Sequence, residues 1–328
     1  MSASTRLGLM MVASVAVLAI TPFVGIEALT PDVLVRPGAS DPAAVIFWKL
    51  RVPRVLAAFL GGAALALGGA AFQSLFRNPL ATPFTLGVAS GAAFGVALVS
   101  RLGIGLAVAG VAVDSVAALA GAMLAVAVVW ALTRLRPTFS TMVLLLAGVA
   151  MSFFFTSLIL FLQYTASLGD SYRIVRWLMG GLAGIDGAAV AQMLPFVAVG
   201  IAGLGWRARQ FDLLSVGADI AASRGVDVVR VRRGVFLATS VMVGGVVAAC
   251  GPIGFVGMMA PHICRLLVSS EHRYLLPASC LFGGAFLALC DAAARTVMAP
   301  AELPVGVITA FLGGPFFLWL LVRRQIAR

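Results

Sequence analysis

Two histidines, His262 and His272, four cysteines and one lysine are the residues from which metal, thiol or phosphate chemistry would have to be built. Cys250, Cys264, Cys280 and Cys290 show no CxxC spacing and lie within or beside apolar stretches. A thiol in that setting behaves as a small hydrophobe. Two histidines ten residues apart are too few for a dedicated metal cluster, so no metal and no other cofactor is expected. Lys49 follows Ile46-Phe-Trp48 and precedes Leu50, which excludes the phosphate loop GxxxxGK[ST]. Any ATP hydrolysis must therefore come from a separate subunit. Neither histidine has a convincing acid partner nearby in the sequence, so a nucleophile–base pair is not expected and the chain is not read as an enzyme.

The elements around these few residues are made of something other than a soluble fold. Of 328 residues, 62% are hydrophobic and only 11% charged, with a mean hydropathy of +1.09. Soluble domains carry about 25% charged residues, and a disordered chain would be far less apolar. The solvent for most of this chain is lipid.

A bilayer core of about 30 Å takes about 20 apolar residues per helix. Ten stretches qualify: 7–28, 54–76, 83–100, 112–133, 140–163, 188–206, 234–251, 253–268, 275–291 and 304–322. The first has Arg6 ahead of its apolar run and so has a signal peptide as its alternative. That run reaches Ile26 with no small-x-small cleavage site followed by a soluble domain, which favours a retained span. Ten spans put both termini on one side. Fifteen of the 23 cations fall on that side with four of the 12 acids, and the other side balances eight against eight. The positive-inside rule then places both termini in the cytoplasm. The net charge of +11 reports topology, and no nucleic-acid partner is expected.

Glycine, 36 residues in all, is spaced for helix contact. Gly87, Gly91 and Gly95 make two successive GxxxG steps, which let helix backbones approach in lipid. A longer pattern recurs: Gly61-Gly62, Ala66, Gly68 and Phe72 return as Gly244-Gly245, Ala249, Gly251 and Phe255. With an odd number of spans between their starts, the copies run in opposite directions. Inverted repeats of this kind are typical of transporters. The halves are placed at about 50–165 and 234–325 of one transmembrane domain.

Several stretches together identify a family. Arg51-Val-Pro-Arg54 followed by GGAALALGGAAFQSLFRNPLATPFTLGVASGA (Gly61–Ala92), LLLAGVA (Leu144–Ala150), RWLMGGLAGID (Arg176–Asp186), GPIGFVGMMAPHICRLL (Gly251–Leu267) and ELPVGVITAFLGGPFFLWLL (Glu302–Leu321) resemble the FecCD/BtuC-type permeases. These are membrane subunits of bacterial ABC importers for iron–siderophore complexes, haem and cobalamin. The resemblance spans residue 50 to the end, while the first 50 residues match only in carrying a span and a loop. It implies an all-α membrane protein of ten helices of the type II importer class, in the bacterial inner membrane. It also implies a homodimer with two cytoplasmic ATPase subunits, an extracytoplasmic solute-binding protein and a metal-chelate substrate.

The resemblance also assigns residues. Segment 207–233 is the longest inferred cytoplasmic loop, with helical spacing over Asp212–Val226. Alone it reads equally as an interfacial anchor. In the family the coupling helices contact the ATPase here, which implicates Asp212, Gly217, Ala221, Arg224 and Gly225. Arg51, Arg54 and Arg295 read by themselves as helix-end anchors, with Asp291–Arg295 as an i,i+4 pair. In the family, arginines at these positions face carboxylates of the binding protein, a contact that bidentate guanidinium geometry suits. Asn78, Leu80, Ser140 and Thr141 are ordinary turn and cap residues that fall where the family has its cytoplasmic gate. Met142 departs from the small polar residue often found there.

No ionisable residue lies deep in an expected span, whereas ion-driven carriers usually keep acids at the midplane. A secondary transporter and a membrane-embedded enzyme are thereby disfavoured. Iron–siderophore or haem is the first expectation for cargo, with cobalamin the alternative because GGLAGID also resembles cobalamin permeases.

Overall fold

The computed structural model describes residues 1–27, 29–35, 41–104, 107–108, 111–134 and 141–326. Within them the regular secondary structure is helical apart from a minimal antiparallel pair, Ala107–Val108 with Val111–Ala112. The helices are α1 (Ala3–Ile20), α2 (Pro42–Val45), α3 (Val52–Phe76), α4 (Val88–Arg101), α5 (Val113–Arg134), α6 (Thr141–Tyr164) and α7 (Leu168–Leu178). After them come α8 (Gly187–Gly205), α9 (Ala208–Val216), α10 (Ala218–Ser223), α11 (Val228–Cys250), α12 (Val256–Leu267), α13 (His272–Thr296) and α14 (Val305–Ile326). Seven helical stretches are long and apolar enough to cross a membrane, and three shorter apolar helices are 88–101, 256–267 and 305–320. These ten coincide with the ten expected stretches.

The differences lie at the ends and have local causes. The α3 stretch begins well before residue 54, because α2 runs into a π-helical turn, Ile46–Arg51, that leads without a break into α3. Helix α12 starts only at Val256, since Gly251 closes α11 at φ 68° and Phe255 sits at φ 67°. The helix expected over Asp212–Val226 is two, α9 and α10, separated at Gly217, whose extended backbone takes the chain out of the helix.

Helix α3 is the core of the bundle. Residues Gly61 through Phe76 are all buried, and α13, α12, α11 and α8 pack around them. Two glycines set the approach. A methyl group on Gly62 would overlap the carbonyl oxygen of Gly283 in α13, and one on Gly69 that of Gly257 in α12. Without a hydrophobic force between helices in lipid, such backbone contact supplies the packing energy. Gly91 and Gly95 do the same work on α4, against Gly121 and Ala117 of α5. Gly87 departs from the GxxxG expectation. It caps α4 at φ 81° and faces Met151 and Gly148 of α6.

The matched copies also differ in backbone. Gly61 through Phe72 lie within one helix, whereas Gly244 through Ala249 lie in α11 and Gly251 ends it. The two helices run in opposite directions, for Arg54 at the start of α3 and Gly251 at the close of α11 line one cavity.

Candidate functional sites at the two ends of the bundle

Charged and polar side chains gather at two ends. At the first, α3, α13 and the turn after α1 converge. The π-helical turn re-aims Arg51, whose guanidinium donates to the carbonyls of Pro22 (3.3 Å), Phe23 (3.2 Å) and Glu27 (2.7 Å). Arg54 Nε donates to both oxygens of Asp291 at 3.0 and 3.1 Å, and its Nη1 donates to Glu302 at 2.8 Å. Arg295 completes the group, with Nε 3.2 Å from Asp291 and Nη2 donating to the Thr21 carbonyl at 3.3 Å. The i,i+4 pair Asp291–Arg295 is therefore present, and Asp291 is shared by two arginines.

All three sequence-predicted arginines thus meet at one end, but they are turned inward. Arg51 is 8% exposed and Arg295 4%, while Asp291 is fully buried. Buried ion pairs of this sort hold only when hydrogen bonds satisfy the remaining donors, which the carbonyls of residues 21–27 do. Two further arginines at this end, Arg173 and Arg176 on α7, are exposed. They line a cavity of about 280 Å³ with Arg54 and Glu302. Sequence reasoning left them out, although RWLMGGLAGID contains Arg176.

The second end carries α9, α10, the end of α3 and the start of α13. His272 is buried and makes polar contacts on three sides. Its backbone N–H donates to Asp212 Oδ1 at 2.9 Å and its Nδ1 to the same oxygen at 2.6 Å. Its Nε2 lies 2.5 Å from Ser74 Oγ on α3. Phe211 stacks on the imidazole with centroids 5.4 Å apart. No convincing acid partner lies near either histidine in the sequence, yet the fold supplies His272 with one from a distance. Asp212 is 60 residues away in sequence and reaches His272 only because α9 folds back on α13.

Serine, histidine and aspartate in this order share the hydrogen-bond geometry of acyl-transfer triads. Here Ser74 sits on the buried side of a continuous helix, 6% exposed, and its hydroxyl is also 2.9 Å from the Ala70 carbonyl. The N–H groups around it are committed to helix hydrogen bonds, so they offer no oxyanion hole. The arrangement joins helices; it does not activate a nucleophile.

Beside it, Gln73 ties α3 to α12. Its Nε2 donates to the carbonyls of Gly257 and Met258 at 3.3 Å, and its Oε1 accepts from Arg265 Nη1 at 2.5 Å. Gln73, Ser74, Arg77, Asn78, Arg265 and His272 line a cavity of about 570 Å³. Asn78 Oδ1 accepts from the Leu80 N–H at 3.0 Å, a local turn that leaves Leu80 exposed. Of the other expected gate residues, Ser140 lies outside the described residues, as does the side chain of Thr141.

In the coupling segment, Ala221 is fully buried against the core. The exposed face of α10 is formed by Asp219, Ile220, Ala222 and Ser223, with Arg224 and Gly225 following. Gly225 ends the segment at φ 81°, a left-handed conformation that suits glycine.

The comparisons agree with this architecture. The FecCD transport family matches residues 5–323. YvrB of Bacillus subtilis, an uncharacterized ABC transporter permease protein, is 41% identical over 294 residues, 88% of this chain and 82% of the relative. The vitamin B12 import system permease protein BtuC of Yersinia pestis is 38% identical, over 87% of this chain and 84% of the relative. Among solved structures, a metal-chelate-type ABC transporter in an inward-facing conformation aligns with TM-score 0.86 and 30% identity, covering 98% of this chain and 99% of the other. PsaBC of Streptococcus pneumoniae, at TM-score 0.52 and 18% identity, shares the fold alone. A ten-stretch helical bundle with polar clusters at both ends and no phosphate loop is what a permease requires of its own chain, and this chain belongs to the FecCD transport family as a BtuC-like ABC importer permease, a subunit that is not itself an enzyme.

Proposed function

We propose that this permease carries a metal chelate from an extracytoplasmic binding protein into the cytoplasm, as a homodimer driven by two ATPase subunits. In this reading ten helices cross the bacterial plasma membrane and both termini are cytoplasmic. The Arg54 end faces outward and the His272 end faces inward. The observation that carries it is the charge asymmetry between the two ends within a family of ABC importer permeases. Cations outnumber acids on the side of α9 and α10, as cytoplasmic loops require.

Arg51, Arg54 and Arg295 then organise the surface that receives the binding protein. They hold the helix ends together, and Arg54 with its partner Glu302 opens onto the cavity lined by Arg173 and Arg176. Asp212, Gly217, Ala221, Arg224 and Gly225 shape the surface that receives the ATPase, with the exposed α10 face as the contact and Ala221 as its internal support. Asn78, Leu80, Ser140 and Thr141 form the inner gate. The first cargo class is an iron–siderophore or haem. Cobalamin, itself a metal chelate, is the second reading, favoured by 38% identity to a vitamin B12 permease.

The test is uptake into vesicles holding the permease, its ATPase and its binding protein, with cobalamin, a ferric siderophore and haem as competing probes. ATP-dependent accumulation of one of them is expected. Accumulation by the permease alone under a sodium or proton gradient would overturn the reading.

A further inference from the structure

The contact between α9 and the rest of the bundle is concentrated in a few groups. Helix α9 packs on α3 and α13, and its Phe211 is fully buried over the His272 ring. Asp212 Oδ1 accepts two hydrogen bonds from one residue, the backbone N–H and the Nδ1–H of His272. His272 is the first residue of α13, and the side chain of the preceding residue, Glu271, does not cap the helix. The first N–H groups of a helix need outside acceptors, and here a carboxylate from another helix serves. Its negative charge also suits a helix N-terminus. The ring then reaches across to Ser74, in the last turn of α3.

We infer that Asp212, His272 and Ser74 form a positioning chain that transmits movement of the α9–α10 surface to α3 and to the wall of the inner cavity. Each link is short and two of its three residues are buried, so α9 cannot shift relative to α13 without stretching or breaking a hydrogen bond. Ser74 and His272 themselves line the inner cavity beside Asn78 and Arg77. A displacement of α9 therefore appears at once in the cavity wall. Interiors transmit such displacements because they are close-packed. The inference rests on the reading of α9–α10 as the surface that receives the ATPase.

The experiment uses the complete transporter in vesicles, loaded with whichever of cobalamin, ferric siderophore or haem the wild type imports. The readout is uptake per ATP hydrolysed. A purely structural loss lowers the amount of complex, reducing uptake and hydrolysis in proportion and leaving their ratio fixed. H272F, which keeps the ring stack but removes both ring nitrogens and their hydrogen bonds, and D212L are expected to lower the ratio about tenfold, within the range of typical coupling between sites. S74A, which deletes one hydroxyl and preserves the fold, is expected to lower it several-fold. D212N, which retains an acceptor oxygen for the His272 hydrogen bonds, is expected to lower the ratio clearly less than D212L does. An unchanged ratio in S74A and H272F overturns the inference, as does a D212N as defective as D212L. Wild-type vesicles without ATP-dependent uptake would instead overturn the functional reading itself.

Discussion

Arg54 and Asp291 are 237 residues apart in sequence and form a forked ion pair, with Nε 3.0 and 3.1 Å from the two carboxylate oxygens and Nη2 3.0 Å from one of them. Arg54 is 12% exposed in its side chain and Asp291 not at all. The pair pins the first turn of α3 to the last turns of α13, and Arg295 on α13 shares the same carboxylate.

Removing one partner leaves buried charge without compensation. Asp291→Ala leaves the buried Arg295 without a carboxylate and Arg54 with Glu302 alone, and breaking a buried pair in this way costs about 3–5 kcal/mol. A clear drop in the thermal midpoint of the detergent-solubilised permease is expected, larger than that of Glu302→Ala, whose side chain is 38% exposed. Equal midpoints for the two variants would contradict the shared-carboxylate geometry.

Docking of the binding protein is expected to depend on the exposed arginines of this end. Arg176→Glu leaves the buried network untouched, so the fold should persist. Affinity for the binding protein should fall at low ionic strength, with the difference shrinking as salt rises and screens exposed charges. Binding that is unaffected at low salt would move the docking surface elsewhere.

Helix crossings at glycine give a third expectation. Gly69→Ala places a methyl group on the Gly257 carbonyl oxygen, so the crossing must open and the protein should lose expression or melt early. Gly205 in α8 has nothing within 4 Å of a built methyl group. Gly205→Ala is therefore expected to be neutral or to stabilise by up to about 1 kcal/mol, the helix-propensity difference. Similar melting curves for the two variants would count against the packing.

Ala221 and Ile220 separate internal support from surface contact. Ala221→Glu buries a charge in a fully packed site and should unfold the α9–α10 segment, seen as new protease cleavage there. Ile220→Glu lies on the exposed face, Ile220 being 46% exposed, and should weaken association with the ATPase while leaving the proteolysis pattern unchanged.

The spans were legible because lipid imposes one rule everywhere: about 20 apolar residues in a row. Gly91 and Gly95 were legible as contact glycines for the same reason. What escaped was set by long-range geometry. Nothing near His272 in the sequence points to Asp212, and Ser74 lies in an apolar run where a hydroxyl looks incidental. Gln73 similarly gives no local sign that Arg265 is its partner. The three arginines at positions 51, 54 and 295 were legible as a group through the family pattern, but their inward orientation follows from the π-helical turn and the carbonyls after α1. Neither leaves a trace in residue type. Gly251 and Phe255, matched to helical partners by spacing, adopt positive φ because the chain must turn before α12.

The glycine contacts at positions 62 and 69 have a mechanical corollary. With its backbone seated against two neighbours at two depths, α3 cannot slide along its axis or spin alone. It must travel with α12 and α13 as one block, an axle fixed in its bearings. In the function proposed above, a passage then opens by rocking of this block against the outer helices.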